Sequence, residues 1–153
     1  MPLLTFRDDD FFGPVAVDAP SRYRQLAAWL ASGIGHDFKG CLDALELVDD
    51  ALKGQAQTEE WGGEGWSVHF GTDALHLEHQ YGDDPEAVYD LGQAREAIED
   101  FWRFLTGLPE RKVRRRFRPD LPEWQADLLQ WEESWNRRHP YRGRLGIPEH
   151  GPA

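Results

Sequence analysis

The sequence predicts an α+β fold: an antiparallel sheet of about five strands, with helices packed on one face, in the order ββααβββα. Three observations predict it. Apolar and polar residues alternate through the middle of the chain, as in strands with one buried face. The flanking segments repeat apolar residues at helical spacing. Glycine and proline separate these segments, as they do between elements of an α+β protein.

A β-hairpin is predicted at residues 3–17. The run 3–7 predicts a first strand, and a shorter strand follows within 11–17, where Pro14 favours a position at a sheet edge. Three consecutive acids, Asp8, Asp9 and Asp10, predict the turn between them.

Two helices are predicted after the hairpin. The first has start signals up to Ser21 and an apolar stripe that reaches Ile34. The second runs from about Asp37 to Lys53, and residues 55–64 then form a polar loop. The single cysteine, Cys41, lies on the apolar face of the second helix with acidic neighbours. We therefore expect a small buried side chain there and not a nucleophile.

A β-meander is predicted next. Pairing Phe70 with Leu75 puts the apolar residues of both strands on one face and sets His69 opposite His76 on the other. A third strand is predicted at 87–91, and the clearest helix follows at 93–106. The sequence thus predicts a domain over residues 1–107.

Residues 108–153 change character and predict a basic linker, an amphipathic helix and an irregular tail, docked on the same domain. The stripe of the helix consists of Leu121, Trp124, Leu128, Trp131 and Trp135. Apolar patches of this size seldom stay exposed. Docking on the body is favoured, because the bases of the linker can lie against acidic surface; these are Arg111, Lys112, Arg114, Arg115 and Arg116. A monomer is favoured. The alternatives are a homodimer that forms through Trp124, Trp131 and Trp135, and an interface with a partner protein.

The charge is strongly asymmetric. The chain carries a net charge of −11; residues 1–107 have 21 acidic and 7 basic side chains, which gives −14, whereas 108–153 carry +3. An acidic body repels nucleic acid and anionic membranes and attracts basic proteins. Acidity that serves only solubility remains the simple alternative. The basic run 111–118 accordingly favours an intramolecular role over nucleic-acid binding.

Localisation and chemistry are predicted mainly by what the sequence lacks. The N-terminus does not resemble a signal peptide, and no window approaches the ~20 apolar residues of a membrane span, so a cytoplasmic protein is expected. No catalytic or cofactor motif occurs, and we expect neither catalytic residues nor a cofactor. A metal enzyme is the least favoured class, with His69, His76 and Glu78 as weak zinc ligands; a solvated histidine pair is more common.

The order of segments also indicates a family. Two N-terminal strands lead into PSRYRQLAAWLASGI and CLDALELVDDALKG; a loop with Trp61 precedes WSVHFGTDALHLEHQY, and DPEAVYDLGQAREAIEDFWRFL follows. Over residues 3–107 this pattern resembles the YacL-like group of small bacterial proteins, which includes immunity proteins of contact-dependent growth-inhibition systems. The resemblance implies a protein that binds a cognate toxin, often a nuclease, and blocks its active site. It carries over no binding residue.

The predicted partner-binding residues are therefore chosen on chemistry alone, as acids and one aromatic in predicted turns and loops. They are Asp8, Asp9, Asp10, Glu59, Glu60, Trp61, Asp83 and Asp84. An acidic inhibitor suits a basic, nuclease-type toxin, because complementary charge speeds the encounter. An adaptor protein without a toxin partner is the alternative function.

Overall fold

A computed structural model describes residues 2–57, 65–82, 85–111 and 114–152, and the backbone of 61–63. Within these residues the chain combines four α-helices with two antiparallel sheets, so the predicted mixture of α and β structure is confirmed. The predicted single sheet of about five strands is wrong. The N-terminal hairpin forms a sheet of its own, and a four-stranded sheet forms from the middle of the chain.

The first sheet pairs β1 (Phe6–Asp9) with β2 (Gly13–Ala16) in the register Phe6↔Ala16. Its inward side chain, Phe6, packs against the rings of Phe101 and Phe104, with centroid distances of 4.9 and 5.7 Å. Among the described residues, the hairpin contacts helices and has no hydrogen bond to the larger sheet, which explains why the two sheets are separate.

The second sheet contains β3 (Trp61–Gly63), β4 (Trp66–Phe70), β5 (Ala74–His79) and β6 (Ala87–Asp90), in that order. The predicted register is confirmed, since Phe70 lies opposite Leu75 and His69 opposite His76. The segment predicted as a loop at 55–64 supplies β3 instead. Strand pairing needs only backbone groups, which explains why a glycine-rich segment without alternation can join the sheet.

The first helical segment is irregular. It begins as a 3₁₀ turn (Ser21–Tyr23), continues as α1 (Arg24–Ala28) and widens into a π-helical turn (Trp29–Ile34). The sequence predicts one continuous helix here, because an apolar stripe does not distinguish these three helix types. The wider turn buries Ile34 and Trp29, and the Trp29 ring meets Phe70 of the larger sheet edge to face at 6.2 Å.

α2 (Phe38–Leu52) is the central helix and packs against α3 (Leu91–Gly107) and α4 (Glu123–Trp135). α3 begins directly after β6, where the Asp90 carboxylate accepts a hydrogen bond from the Gln93 N–H at 2.7 Å. Such a cap satisfies one of the free N–H groups of the first helical turn. Among the described residues, no helix has the length and apolar character that crossing a membrane requires.

The C-terminal segment lies against α2. The Trp131 indole N–H donates to the Asp43 carboxylate at 2.7 Å, and Leu128 is completely buried. Among the described side chains, two ion pairs join this segment to the body. Arg137 pairs with Glu46, and Arg144 pairs with Asp49. They do not come from the linker that the sequence favoured for this role.

Two of the linker bases have acidic partners that are closer in the sequence. Arg111 pairs with Glu123 and Arg115 with Glu110, and both acids belong to the same C-terminal segment. Lys112 lies outside the described residues. A charged side chain in a linker meets its sequence neighbours first, which explains why these pairs are local.

Candidate interaction surface

The turn of the N-terminal hairpin has a defined structure. One carboxylate oxygen of Asp9 accepts hydrogen bonds from the N–H groups of Phe11, at 2.8 Å, and Phe12, at 2.9 Å. Aspartate commonly closes turns in this way. Gly13 follows with φ +75, a backbone conformation that side chains disfavour, and the chain enters β2. We call residues Asp8 to Phe12 the hairpin tip.

Two neighbouring aromatic rings of the hairpin tip stand in solvent. Phe11 is 86% exposed and Phe12 is 75% exposed, and their ring centroids lie 4.8 Å apart in an edge-to-face arrangement. Complete burial of one such side chain is worth about 1.5–3 kcal/mol. Aromatic residues are enriched at protein interfaces, and a pair of them fixed on a turn is a surface that a partner can bury.

Three carboxylates directly precede these rings in the chain. Hydrogen bonds from the N–H groups of Phe12 and Phe11 hold the pKa of Asp9 below its usual value, so this carboxylate stays charged in mildly acidic solution. Asp8 contacts the His36 ring at 2.7 Å, and Asp10 is exposed. The hairpin tip therefore combines apolar area with three acidic side chains.

The base of the hairpin is fixed to the body. The N–H groups of Leu3 and Leu4 donate to the carboxylate of Asp100, at 2.7 and 3.1 Å, and the Val17 N–H donates to the Thr5 carbonyl at 2.8 Å. The buried side chain of Leu4 adds to this contact. A rigid base reduces the ordering that binding requires of the hairpin tip.

An apolar groove lies beside the hairpin tip. It has a volume of about 500 Å³, runs between β2 and the first helical segment, and has Phe12 at its rim. Val15, Ala19 and Ala31 line it, and these short side chains keep it open. The groove and the exposed rings form one continuous surface that can take up apolar side chains of a partner.

Of the predicted partner-binding residues, the structure brings Asp8, Asp9 and Asp10 together in the hairpin tip. Trp61 belongs to β3, of which the backbone alone is described. The remaining four lie outside the described residues; they are Glu59, Glu60, Asp83 and Asp84.

The sequence reasoning missed Phe11 and Phe12, because it assigned them to a strand whose apolar residues would be buried. The signal that could have found them is the Gly13-Pro14 pair directly after them. Such a pair marks a turn, and it indicates that the turn extends through both phenylalanines.

The weak zinc candidates are a pair of rings on the outer sheet face. His69 and His76 have ring centroids 6.3 Å apart, and His76 contacts Glu86 at 3.0 Å. Glu78 lies opposite Ser67 in the register. No group of three potential ligands with metal-binding geometry occurs among the described residues.

The single thiol lies in the core. Cys41 has no exposed surface, and burial raises the pKa of its thiol far above the usual value, with a smaller contribution from the charge of Asp37. The thiolate is the reactive form, so this arrangement keeps Cys41 unreactive.

Comparisons of the chain with protein-family models, with curated proteins and with solved structures found no match. The resemblance to the YacL-like immunity proteins therefore stays a prediction from the sequence.

Proposed function

We propose that this protein is a non-catalytic binding protein that neutralises a basic bacterial toxin, of the nuclease class, by protein–protein contact. The observation that carries the proposal is the hairpin tip, where Phe11 and Phe12 stand exposed among Asp8, Asp9 and Asp10. No ordinary requirement of folding places two large rings in water on a turn, and a partner that buries them supplies a reason.

The chemistry of the hairpin tip fits a nuclease. Nucleases bind polyanionic substrates and present lysine and arginine around their active sites. A carboxylate-bearing turn can occupy such a surface in place of phosphates. Two aromatic rings can fill the apolar positions between the lysine and arginine side chains. The net charge of −14 over residues 1–107 attracts the same surface from a distance.

The distribution of perturbed ionisable groups supports binding rather than catalysis. Catalytic groups with shifted pKa values usually lie in open clefts. Among the described residues, the largest shifts belong to Cys41, His139 and Tyr141, which are buried in the core or where the tail packs on α2 and α3. These groups have structural hydrogen bonds or apolar surroundings and do not face the groove beside the hairpin tip.

Co-purification with the product of the neighbouring gene tests the proposal. The expected result is a stable complex and rescue of a host that expresses the neighbour as a toxin. An adaptor protein would use the same surface for a partner that is not toxic. A neighbour that neither binds the protein nor harms the host would contradict the toxin-neutralising function.

A further inference from the structure

The two-stranded sheet of the hairpin has two edges, and its register determines which backbone groups face them. Thr5 and Val17 exchange a backbone hydrogen bond at 2.8 Å. Hydrogen-bonded and non-hydrogen-bonded pairs alternate along an antiparallel ladder. The N–H and C=O groups of Phe6 and Asp8 therefore point outward from β1, and those of Pro14 and Ala16 point outward from β2.

The β2 edge offers fewer backbone groups for further pairing. Pro14 has no N–H, and it occupies a position where that group would point outward. The first helical segment also packs against β2. Proline and covering elements are the usual means by which proteins protect a sheet edge from further pairing.

The β1 edge is open. Upstream, the N–H groups of Leu3 and Leu4 donate to the Asp100 carboxylate. Beyond them, no hydrogen bond among the described residues reaches the outward groups of Phe6 and Asp8. A groove of about 670 Å³ runs along this edge, between residues 2–6 and α3, and leaves room for a further chain.

The walls of this groove are acidic. Glu96, Glu99 and Asp100 of α3 line it, and Asp8 lies further along the same edge. Arg103 is the base that lines the groove, and it pairs with Asp100 at 3.4 Å. An extended chain in the groove would meet more negative than positive charge.

We propose that the β1 edge binds an extended, lysine- or arginine-rich segment of the toxin partner, which joins the hairpin as a third strand. This inference rests on the proposed function and names the part of the partner that is bound. Backbone hydrogen bonds to Phe6 and Asp8 supply affinity, and the acidic wall selects basic side chains at alternate positions. A strand advances about 3.3 Å per residue, so a segment of six residues spans the edge and leads to the hairpin tip.

A matched pair of variants of the full chain tests the proposal. Asp8→Pro removes the outward N–H and the carboxylate, and it leaves the bonds between β1 and β2 intact because Asp8 is not hydrogen-bonded to Pro14. Asp8→Ala removes the same carboxylate and keeps the N–H. The probe is an eight-residue peptide in which lysine and valine alternate, with an alternating glutamate–valine peptide as the charge control.

The wild-type protein, labelled with ¹⁵N, should show slower hydrogen exchange at the Phe6 and Asp8 amides when the lysine peptide is bound. Asp8→Ala should weaken binding only a few-fold, whereas Asp8→Pro should weaken it at least tenfold, and the glutamate peptide should not bind. Unchanged exchange at both amides, or equal affinity of the two variants, would overturn the proposal. The co-purification experiment uses the whole partner and no peptide. A β1 edge that does not bind the peptide and a protein that does not neutralise a toxin are therefore distinguishable results.

Discussion

Gly33 is the residue at which the irregular first helix meets the sheet. A Cβ atom at this position would lie 2.7 Å from Cδ1 of Trp29 and 3.2 Å from Cδ1 of Trp66. Both indole rings are buried, so neither can move away without disturbing the core. The sequence shows a glycine near the end of a helical pattern, but not the two rings that require it.

We expect Gly33→Ala to lower the free energy of unfolding by about 1–3 kcal/mol, the usual cost of overpacking a core. Gly107→Ala is the control, because no atom lies within 4 Å of its added Cβ and the residue is helical. It should be neutral or slightly stabilising, since alanine favours helices. Urea denaturation of both variants measures the difference, and equal stabilities would contradict the packing described at Gly33.

His139 shows how a buried polar residue holds the tail. Its Nε2 donates to the Leu42 carbonyl at 2.9 Å, and its Nδ1 accepts from the Tyr141 N–H at 3.0 Å, an arrangement that only the neutral ring can form. Burial is the main reason that the pKa of His139 falls from 6.5 to about 4, against the opposing effects of its hydrogen bond to Leu42 and of the charge of Glu132.

The protein should therefore lose stability as the pH falls from about 6.5 to 4. In this window the unfolded chain binds a proton at His139 and the folded chain does not, which favours unfolding by at most roughly 3 kcal/mol. His139→Gln cannot titrate, so its free energy of unfolding should vary less between pH 7.5 and 5. Parallel pH dependence of the two proteins would show that His139 does not contribute this effect.

At the scale of elements, α4 and the tail complete the core. Trp102 and Trp124 meet edge to face with centroids 6.1 Å apart, and Tyr141 and Ile147 of the tail are buried. The helix could be predicted from its stripe, because Trp131 and Leu128 follow helical spacing. The tail could not, since its buried residues have no periodicity and are held by individual hydrogen bonds, such as that from Tyr141 to Glu99.

Truncation after Gly107 should expose the face of α2 that α4 covers, where Trp131 bonds to Asp43. We expect a lower melting temperature and increased binding of a hydrophobic dye, because a large apolar area loses its cover. The full-length chain with Trp135→Ala is the control, as this ring is 53% exposed and its loss uncovers little core. A truncated protein that melts like the full chain would contradict a structural role for the segment.

At the scale of the whole molecule, local patterns predicted more than the arrangement of the sheets. The register of β4 and β5 follows from alternation around a short turn, and Phe70↔Leu75 was predictable for that reason. The alternation of residues 3–17 does not indicate whether the hairpin pairs with another strand or packs on a helix. The contact of Phe6 with Phe101 decides this, and it joins residues far apart in the sequence.

The acidic body should govern the rate at which a basic partner is captured. Charges more than about 10 Å apart are largely screened at 0.1 M salt. We expect the association rate constant to fall roughly tenfold between low and moderate salt, with a smaller change in the dissociation rate constant. Stopped-flow measurements over a salt series test this, and a salt-independent association rate would show that the net charge of −14 over residues 1–107 does not steer the encounter.

The central claim is that the hairpin tip binds the partner, and the affinity of one double variant tests it most directly. Phe11→Ala with Phe12→Ala removes both exposed rings and leaves the Asp9 hydrogen bonds in place, because these involve backbone N–H groups. Val88→Ala is the control, an apolar residue that is 55% exposed on the larger sheet. Calorimetric titration with the product of the neighbouring gene should show at least about a hundredfold loss of affinity for the double variant, the range expected for paired hot-spot residues, and no change for Val88→Ala. Equal affinities of the wild type and the double variant would contradict the claim.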